Sequence, residues 1–170
     1  RTAGFLTISQ AGLRKATAMI CCLLMFIGGS PSGTAGGVKT TTVAILVLTV
    51  ISIIKGRNDT EMFGRKINGN LVRRALSIFM VSFGVMLLAV IALAIVQPGD
   101  FIDCLFEVIS AIATVGLTRD FTTELTVAGR IIIIVTMYIG RIGPISLALF
   151  FNSRRFVNLE TYPEEKVGVG

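Results

Sequence analysis

The 170 residues contain no histidine, so neither an imidazole base nor a His-ligated metal centre is available. Only three cysteines occur. Cys21 and Cys22 are neighbours in an apolar run and Cys104 stands alone, a spacing that suits neither a zinc site nor a disulfide framework. Small thiols packed inside helices are the expectation. Charge is scarce too: Asp, Glu, Lys and Arg make up 15% of the chain, against a usual level of about 25%. No carboxylate pair and no nucleophile with a base at usable spacing falls at membrane depth, so an enzyme is not expected. No cleavable signal peptide opens the sequence. It starts at Arg1 without a Met, as a fragment or a processed piece would.

Apolar residues are abundant: 53% are hydrophobic and the mean hydropathy is +0.81, the composition of an integral membrane protein. The placement of the net charge of +6 gives a topology. Segment 55–74 carries Lys55, Arg57, Arg65, Lys66, Arg73 and Arg74 against Asp59 and Glu61, whereas segment 98–127 carries Asp100, Asp103, Glu107, Asp120 and Glu124 against Arg119. The positive-inside rule puts the first in the cytoplasm and the second outside. Arg14 and Lys15 then fall outside, a mild violation. These basic residues orient the chain; they do not form a nucleic-acid surface.

The stretch around which the chain is organised is Gly28–Thr42, GGSPSGTAGGVKTTT. It separates two apolar arms, Ala16–Ile27 and Val43–Ile54, of 12 residues each. A helix needs about 20 residues to cross a bilayer, so each arm is too short, whereas the whole is long enough. One crossing broken by a polar loop is expected. Non-helical backbone at that depth survives only where it is buried in protein or lines a watery cavity, so the break marks a pathway or a gate. Its five glycines and single proline predict few hydrogen bonds and easy rearrangement.

Lys55–Asn70 is a polar connection, and Leu71–Val96 a second crossing. Phe101–Ala113 is about 20 Å of helix, too short to span, and is either re-entrant or interfacial. Asp100 and Asp103 sit at its start, where an N-cap and the positive helix end favour carboxylates. Its other end points partial negative charge toward Gly116, which favours a cation. Arg130–Phe151 is the last crossing, interrupted at 140–144, with Arg154 and Arg155 at its cytoplasmic end.

A repeat runs through this. Thr2-Ala3-Gly4-Phe5 and Thr114-Val115-Gly116-Leu117 lie 112 residues apart, and Gly28 maps onto Gly140 at the same offset. The unit is outer helix, re-entrant helix, Thr-x-Gly loop and broken inner helix, with successive copies in parallel. Gly lets neighbouring carbonyls face one side, as a cation filter needs. Val115 and Leu117 would pack the back of the loop against the protein. About four such loops would have to surround an ion, so the pore must be completed elsewhere.

RTAGF, GGSPSGTAGGVKTTT, FEVISAIATVGLT, GRIGPISLALFF and the terminal YPEEK resemble the C-terminal half of the KtrB family. These are the membrane subunits of bacterial Ktr potassium uptake systems, in the Trk/Ktr/HKT superfamily. The resemblance covers nearly the whole chain. It implies an all-α membrane fold of K⁺-channel-like units, four of them around one pseudo-fourfold pore, in a bacterial cell membrane. Residues 1–57 would end the third unit, 58–152 form the fourth, and 153–170 a cytoplasmic tail. K⁺, with Na⁺ as a second cation, would be held by carbonyls of Thr2, Ala3, Gly4, Thr114, Val115 and Gly116; Phe5 and Leu117 would end the two filters. Gly28, Gly29, Ser30, Pro31, Ser32, Gly33, Thr34, Ala35, Gly36, Gly37 and Lys39 would belong to a gating loop, and Arg141 would be a pore-facing barrier beside it. No organic cofactor is implied. The partners implied are a second membrane subunit, the N-terminal half of the pore and a cytoplasmic ring of KtrA-like nucleotide-binding subunits. Two departures stand out: two repeats and the third pore helix are missing, so this chain alone should not conduct, and Leu6 replaces a residue that is commonly small and polar.

Other readings compete residue by residue. Lys39 either snorkels to the cytoplasmic surface or holds the loop. Arg141, about midway along its crossing, is a buried charge and functional by default. Glu107 either pairs with a base behind a filter or faces an aqueous vestibule. The Gly33–Thr40 stretch has the outline of a phosphate-binding loop, but Val38 separates Gly37 from Lys39 and no strand precedes it. At the level of the whole chain the rivals are a secondary transporter with discontinuous helices and a non-conducting membrane anchor.

Overall fold

The structure, a computed structural model, describes residues 4–7, 9–31, 36–57, 59–62 and 65–143. Expectations placed on Thr2, Ala3, Ser32, Gly33, Thr34 and Ala35 and on 144–170 lie outside the described residues. Within them the chain is mostly helical: α1 (Lys15–Phe26), α2 (Thr40–Ile54), α3 (Gly69–Val96), α4 (Phe101–Ile112) and α5 (Val127–Ile142), with short 3-10 turns at Gln10–Gly12 and Phe121–Glu124. The helical expectation holds, with one small non-helical addition. The polar connection after α2 folds into a small antiparallel hairpin, β1 (Glu61–Met62) with β2 (Arg65–Lys66). Exposed ion pairs Arg57–Glu61 at 2.8 Å and Lys66–Asp59 at 2.7 Å flank it, each worth at most about 1 kcal/mol.

The two short apolar arms are helices separated by a non-helical stretch, with different edges. α1 ends at Phe26 and α2 begins at Thr40, so Thr40, Thr41 and Thr42 form the first turn of a helix and are not loop. α3 is 28 residues long, about 42 Å at 1.5 Å per residue, and is apolar enough to cross a membrane. Its buried positions Ser82, Met86, Ala89 and Leu93 recur at four- and three-residue steps and form one narrow stripe. Beyond Ser77 most of its outer surface is also apolar, with Leu88 71% and Ile95 79% exposed. A helix apolar both inside and out has the composition of a membrane span.

α4 has the opposite character. Its 12 residues are about 18 Å of helix, and every position from Phe106 to Ile112 is buried. It packs against α1, α3 and α5, an enclosed position and not an interfacial one. Asp100 occupies its N-cap, but its side chain makes no capping bond. That correction has a cause: the carboxylate turns outward to Lys15, 3.4 Å away. Lys15 therefore stands at the same end of the molecule as the acidic segment that follows α3.

A buried amide fastens this end. Gln97, just past α3, donates from Nε2 to the Glu124 carbonyl at 2.9 Å and accepts from the Thr126 N–H at 2.8 Å. Thr126 in turn caps α5, its hydroxyl accepting from the Gly129 N–H. Gln97→Leu strands two backbone groups and is expected to cost about 1–3 kcal/mol, read as a lowered unfolding midpoint of the detergent-solubilised chain. An unchanged midpoint removes this clamp from the fold.

Candidate functional site

The turn at the end of α4 is built by backbone geometry. The Thr114 N–H bonds the Ala111 carbonyl at 3.1 Å and the Val115 N–H bonds the Ser110 carbonyl at 2.9 Å. With Ala113 as C-cap, this is the paired pattern of a Schellman motif, which satisfies two carbonyls at the helix end. The residue after the cap must be left-handed, and glycine is usual there. Here it is Thr114, at φ +52°, a conformation that costs a β-branched residue about 1–3 kcal/mol. Gly116 follows at φ +84°. Val115 is buried and Leu117 packs against the core, so the back of the turn is anchored as the sequence suggests.

Two other segments converge on this turn. A Cβ on Gly4 would lie 2.9 Å from the Val115 carbonyl oxygen and 3.2 Å from that of Gly116, so Gly4 lies against the carbonyls of the second Thr-x-Gly segment. The loop of the broken crossing arrives from the other side. The Gly36 N–H donates to the Thr114 hydroxyl at 2.9 Å, and a Cβ on Gly36 would sit 2.7 Å from that same oxygen. Gly37, at φ +70°, lies against Ala113. The Thr114 hydroxyl does more than the sequence suggests. Its role as the acceptor for the loop was missed, because residues 36 and 114 are 78 apart.

The loop itself corrects an expectation. Its neck is tied: Ile27 and Val38 form a parallel bridge, Gly28 N–H bonds the Val38 carbonyl at 2.7 Å, and Thr40 N–H bonds the Gly29 carbonyl at 3.2 Å. Gly28 is required because a Cβ would run into the Gly36 carbonyl oxygen. The described ends of the loop are thus well bonded despite the glycines, since strand-like pairing replaces the lost helical bonds. Lys39 is half-buried at the N-cap of α2.

Gly140 of α5 packs on the Ile112 carbonyl at the same end of α4. It belongs to the buried stripe Gly129, Ile133, Thr136 and Gly140. Arg141, one residue and about 100° further round the helix, is exposed, not buried as its place in the sequence suggested. α5 stops at Ile142 and Gly143 leaves it at φ +91°, within the expected interruption.

Residues 1–158 match the family described as TrkH, cation transport protein. This chain belongs to the TrkH family. Ktr system potassium uptake protein B of Bacillus subtilis is 39% identical over all of this chain and 38% of its own length. Potassium/sodium uptake protein NtpJ of Enterococcus hirae is 37% identical over all of this chain and 39% of its own length. Ktr system potassium uptake protein B of Vibrio alginolyticus is 36% identical, again over the whole chain, and over 37% of its own length. The chain thus spans about two fifths of the length of these relatives.

Among the described site residues of this TrkH-family chain, Gly4, Thr114, Val115, Gly116, Gly36 and Gly37 come together, and Gly28 supports them. Phe5 stands apart, 94% exposed. Glu107 meets neither expectation: it is 5% exposed and accepts from the hydroxyls of Thr118 and Thr122, while the nearby base Arg119 pairs with Asp103 at 2.9 Å.

The close approach of α5 to α4 gives a paired test. Gly140→Ala drives a methyl into a backbone carbonyl and is expected to lower the unfolding midpoint sharply, beyond the cost of about 1–3 kcal/mol typical of overpacking. Gly84→Ala, where a Cβ meets nothing within 4 Å, should raise stability by about 0.5–1 kcal/mol. Equal effects at the two positions would mean that α5 does not touch α4 at Gly140.

Proposed function

We propose that this chain is the pore-forming part of a potassium uptake system, in which backbone carbonyls select the ion and the loop between α1 and α2 gates its passage. The observation that carries the reading is the Gly36–Thr114 hydrogen bond, because it ties the break in one crossing to the turn at the end of α4. The other supports are the burial of α4, the approach of Gly4 to the Val115 and Gly116 carbonyls, and relatives named as potassium and potassium/sodium uptake proteins.

On this reading the carbonyls of Thr2, Ala3, Gly4, Thr114, Val115 and Gly116 replace part of the hydration shell of K⁺, with Na⁺ as the competing ion. Two such segments cover only part of an ion, so a second half of the pore completes the ring. The spacing fits two copies of one unit: Lys15 opens α1 at 11 positions after Gly4, and Val127 opens α5 at 11 positions after Gly116. Residues 1–57 then end a third unit, 58–152 form the fourth, and 153–170 are a cytoplasmic tail. The segment from Gly28 to Gly37, with Lys39 at its end, obstructs the path below the filter. Arg141 adds a positive barrier there, since a positive charge where water is scarce repels cations strongly. A KtrA-like cytoplasmic ring opens the pore by drawing α2 aside, and a second membrane subunit completes a dimer in the bacterial cell membrane.

Deleting residues within 30–35 of the complete transporter is expected to raise K⁺ flux several-fold and to weaken its dependence on the cytoplasmic partner, since the obstruction is removed while the filter remains. Arg141→Ala should act in the same direction, more mildly. A folded deletion variant with unchanged flux and partner dependence rules out the gate. Gly116→Ser, which places a side chain at φ +84°, should abolish uptake or change ion preference. For orientation, cysteines introduced at Asn58 and Thr123 should label from opposite sides of the membrane; labelling from one side overturns the assignment.

A further inference from the structure

A polar cluster gathers around Glu107, beside the Thr114–Leu117 turn. Glu107 is 5% exposed in the middle of α4, and a carboxyl group in that position is costly unless its oxygens are bonded. Both are. Thr118 Oγ1 donates to Oε2 at 2.9 Å, and Thr122 Oγ1 donates to Oε1 in a short contact. Each hydroxyl has one proton, so both protons are committed to Glu107. The 2.9 Å approach of the two threonine oxygens is then a consequence of sharing one acceptor. Thr118 Oγ1 also receives the Thr122 N–H at 3.5 Å, which closes the turn.

One helical turn earlier on the same face of α4, Asp103 engages the next residue of the returning chain. Arg119 Nε lies 2.9 Å from Asp103 Oδ1, off the line of a hydrogen bond, and Nη2 donates to the Ala11 carbonyl at 3.3 Å. Asp120 accepts from Ser9 Oγ at 2.9 Å. The four residues Thr114–Leu117 are therefore held at both ends by the same helix. Ser110 and Ala111 hold the lower end through backbone bonds; Glu107 and Asp103 hold the upper end through Thr118, Thr122 and Arg119.

We propose that Glu107 is a positioning residue that sets the carbonyl geometry of Thr114–Leu117 from behind, through Thr118 and Thr122, and is thereby a determinant of which cation passes. The inference rests on the reading of that turn as a filter. A carbonyl ring discriminates between ions by the distance and stiffness of its oxygens, and a turn fixed at both ends by buried hydrogen bonds keeps both constant.

The test is K⁺ uptake and its competition by Na⁺, in proteoliposomes of the complete transporter, for Glu107→Gln, Thr122→Val and the double variant, beside Gly116→Ser. Glu107→Gln keeps the shape but replaces an acceptor by a donor, so one threonine hydroxyl must turn away. Each single variant is expected to lower the K⁺/Na⁺ ratio on the order of fivefold, and the double variant no further than the larger single, because the pair acts as one unit. A purely structural role would reduce protein yield or the unfolding midpoint and leave the ratio alone. Thr122 is exposed, so Thr122→Val decides the matter even where Glu107→Gln fails to fold. An unchanged ratio in the folded variants, or effects that add in the double variant, overturns the inference while the filter reading stands, provided that Gly116→Ser shifts the ratio. If Gly116→Ser also leaves it unchanged, the filter reading falls and the inference with it.

Discussion

A helix that ends inside an apolar region must find partners for the backbone groups it releases, and that constraint shapes the centre of this molecule. α4 stops among buried side chains, with no bulk water to take up its last carbonyls. The Schellman turn satisfies two of them at the cost of a left-handed threonine. The same threonine then offers its hydroxyl to the Gly36 N–H, itself stranded by the break between α1 and α2. Each interruption of regular structure thus relieves the other.

Packing follows from the same requirement. Helices that share little apolar driving force with their surroundings approach through small residues. Here Gly140 rests on the Ile112 carbonyl and Gly36 and Gly37 rest on Ala113 and Thr114, so the turn is surrounded by backbone on several sides. Larger side chains at those positions would open gaps into which water or lipid would intrude. The narrow buried stripes of α3 and α5 leave the remaining faces apolar and outward, which suits an environment that is itself apolar.

Polar side chains are spent at one end. Gln97 joins the end of α3 to the start of α5, Glu107 gathers two hydroxyls, and Lys15, ahead of α1, meets Asp100. These contacts join segments that lie apart in sequence. At the opposite end the hairpin carries exposed ion pairs of little energy.

Much of this was legible in the residues. The broken crossing, the long span over Leu71–Val96, the short helix from Phe101 and the close of α5 near Gly140 follow from apolar run length and from glycine, which are local properties. Buried Cys22 and Cys104 and an anchored Val115 follow from the same pattern. Partner choice was not legible. Nothing near Glu107 in the sequence favours threonine hydroxyls over Arg119, and the outward turn of Asp100 depends on where Lys15 ends up. The tied neck of the Gly-rich loop was also hidden, because composition reports backbone freedom and not the bonds that remove it. Sequence by itself determined where helices can and cannot continue, since that depends on neighbours along the chain. Only the tertiary structure decided which polar groups meet across 78 to 111 residues, since hydrogen bonds act over about 3 Å and that proximity is created by packing alone.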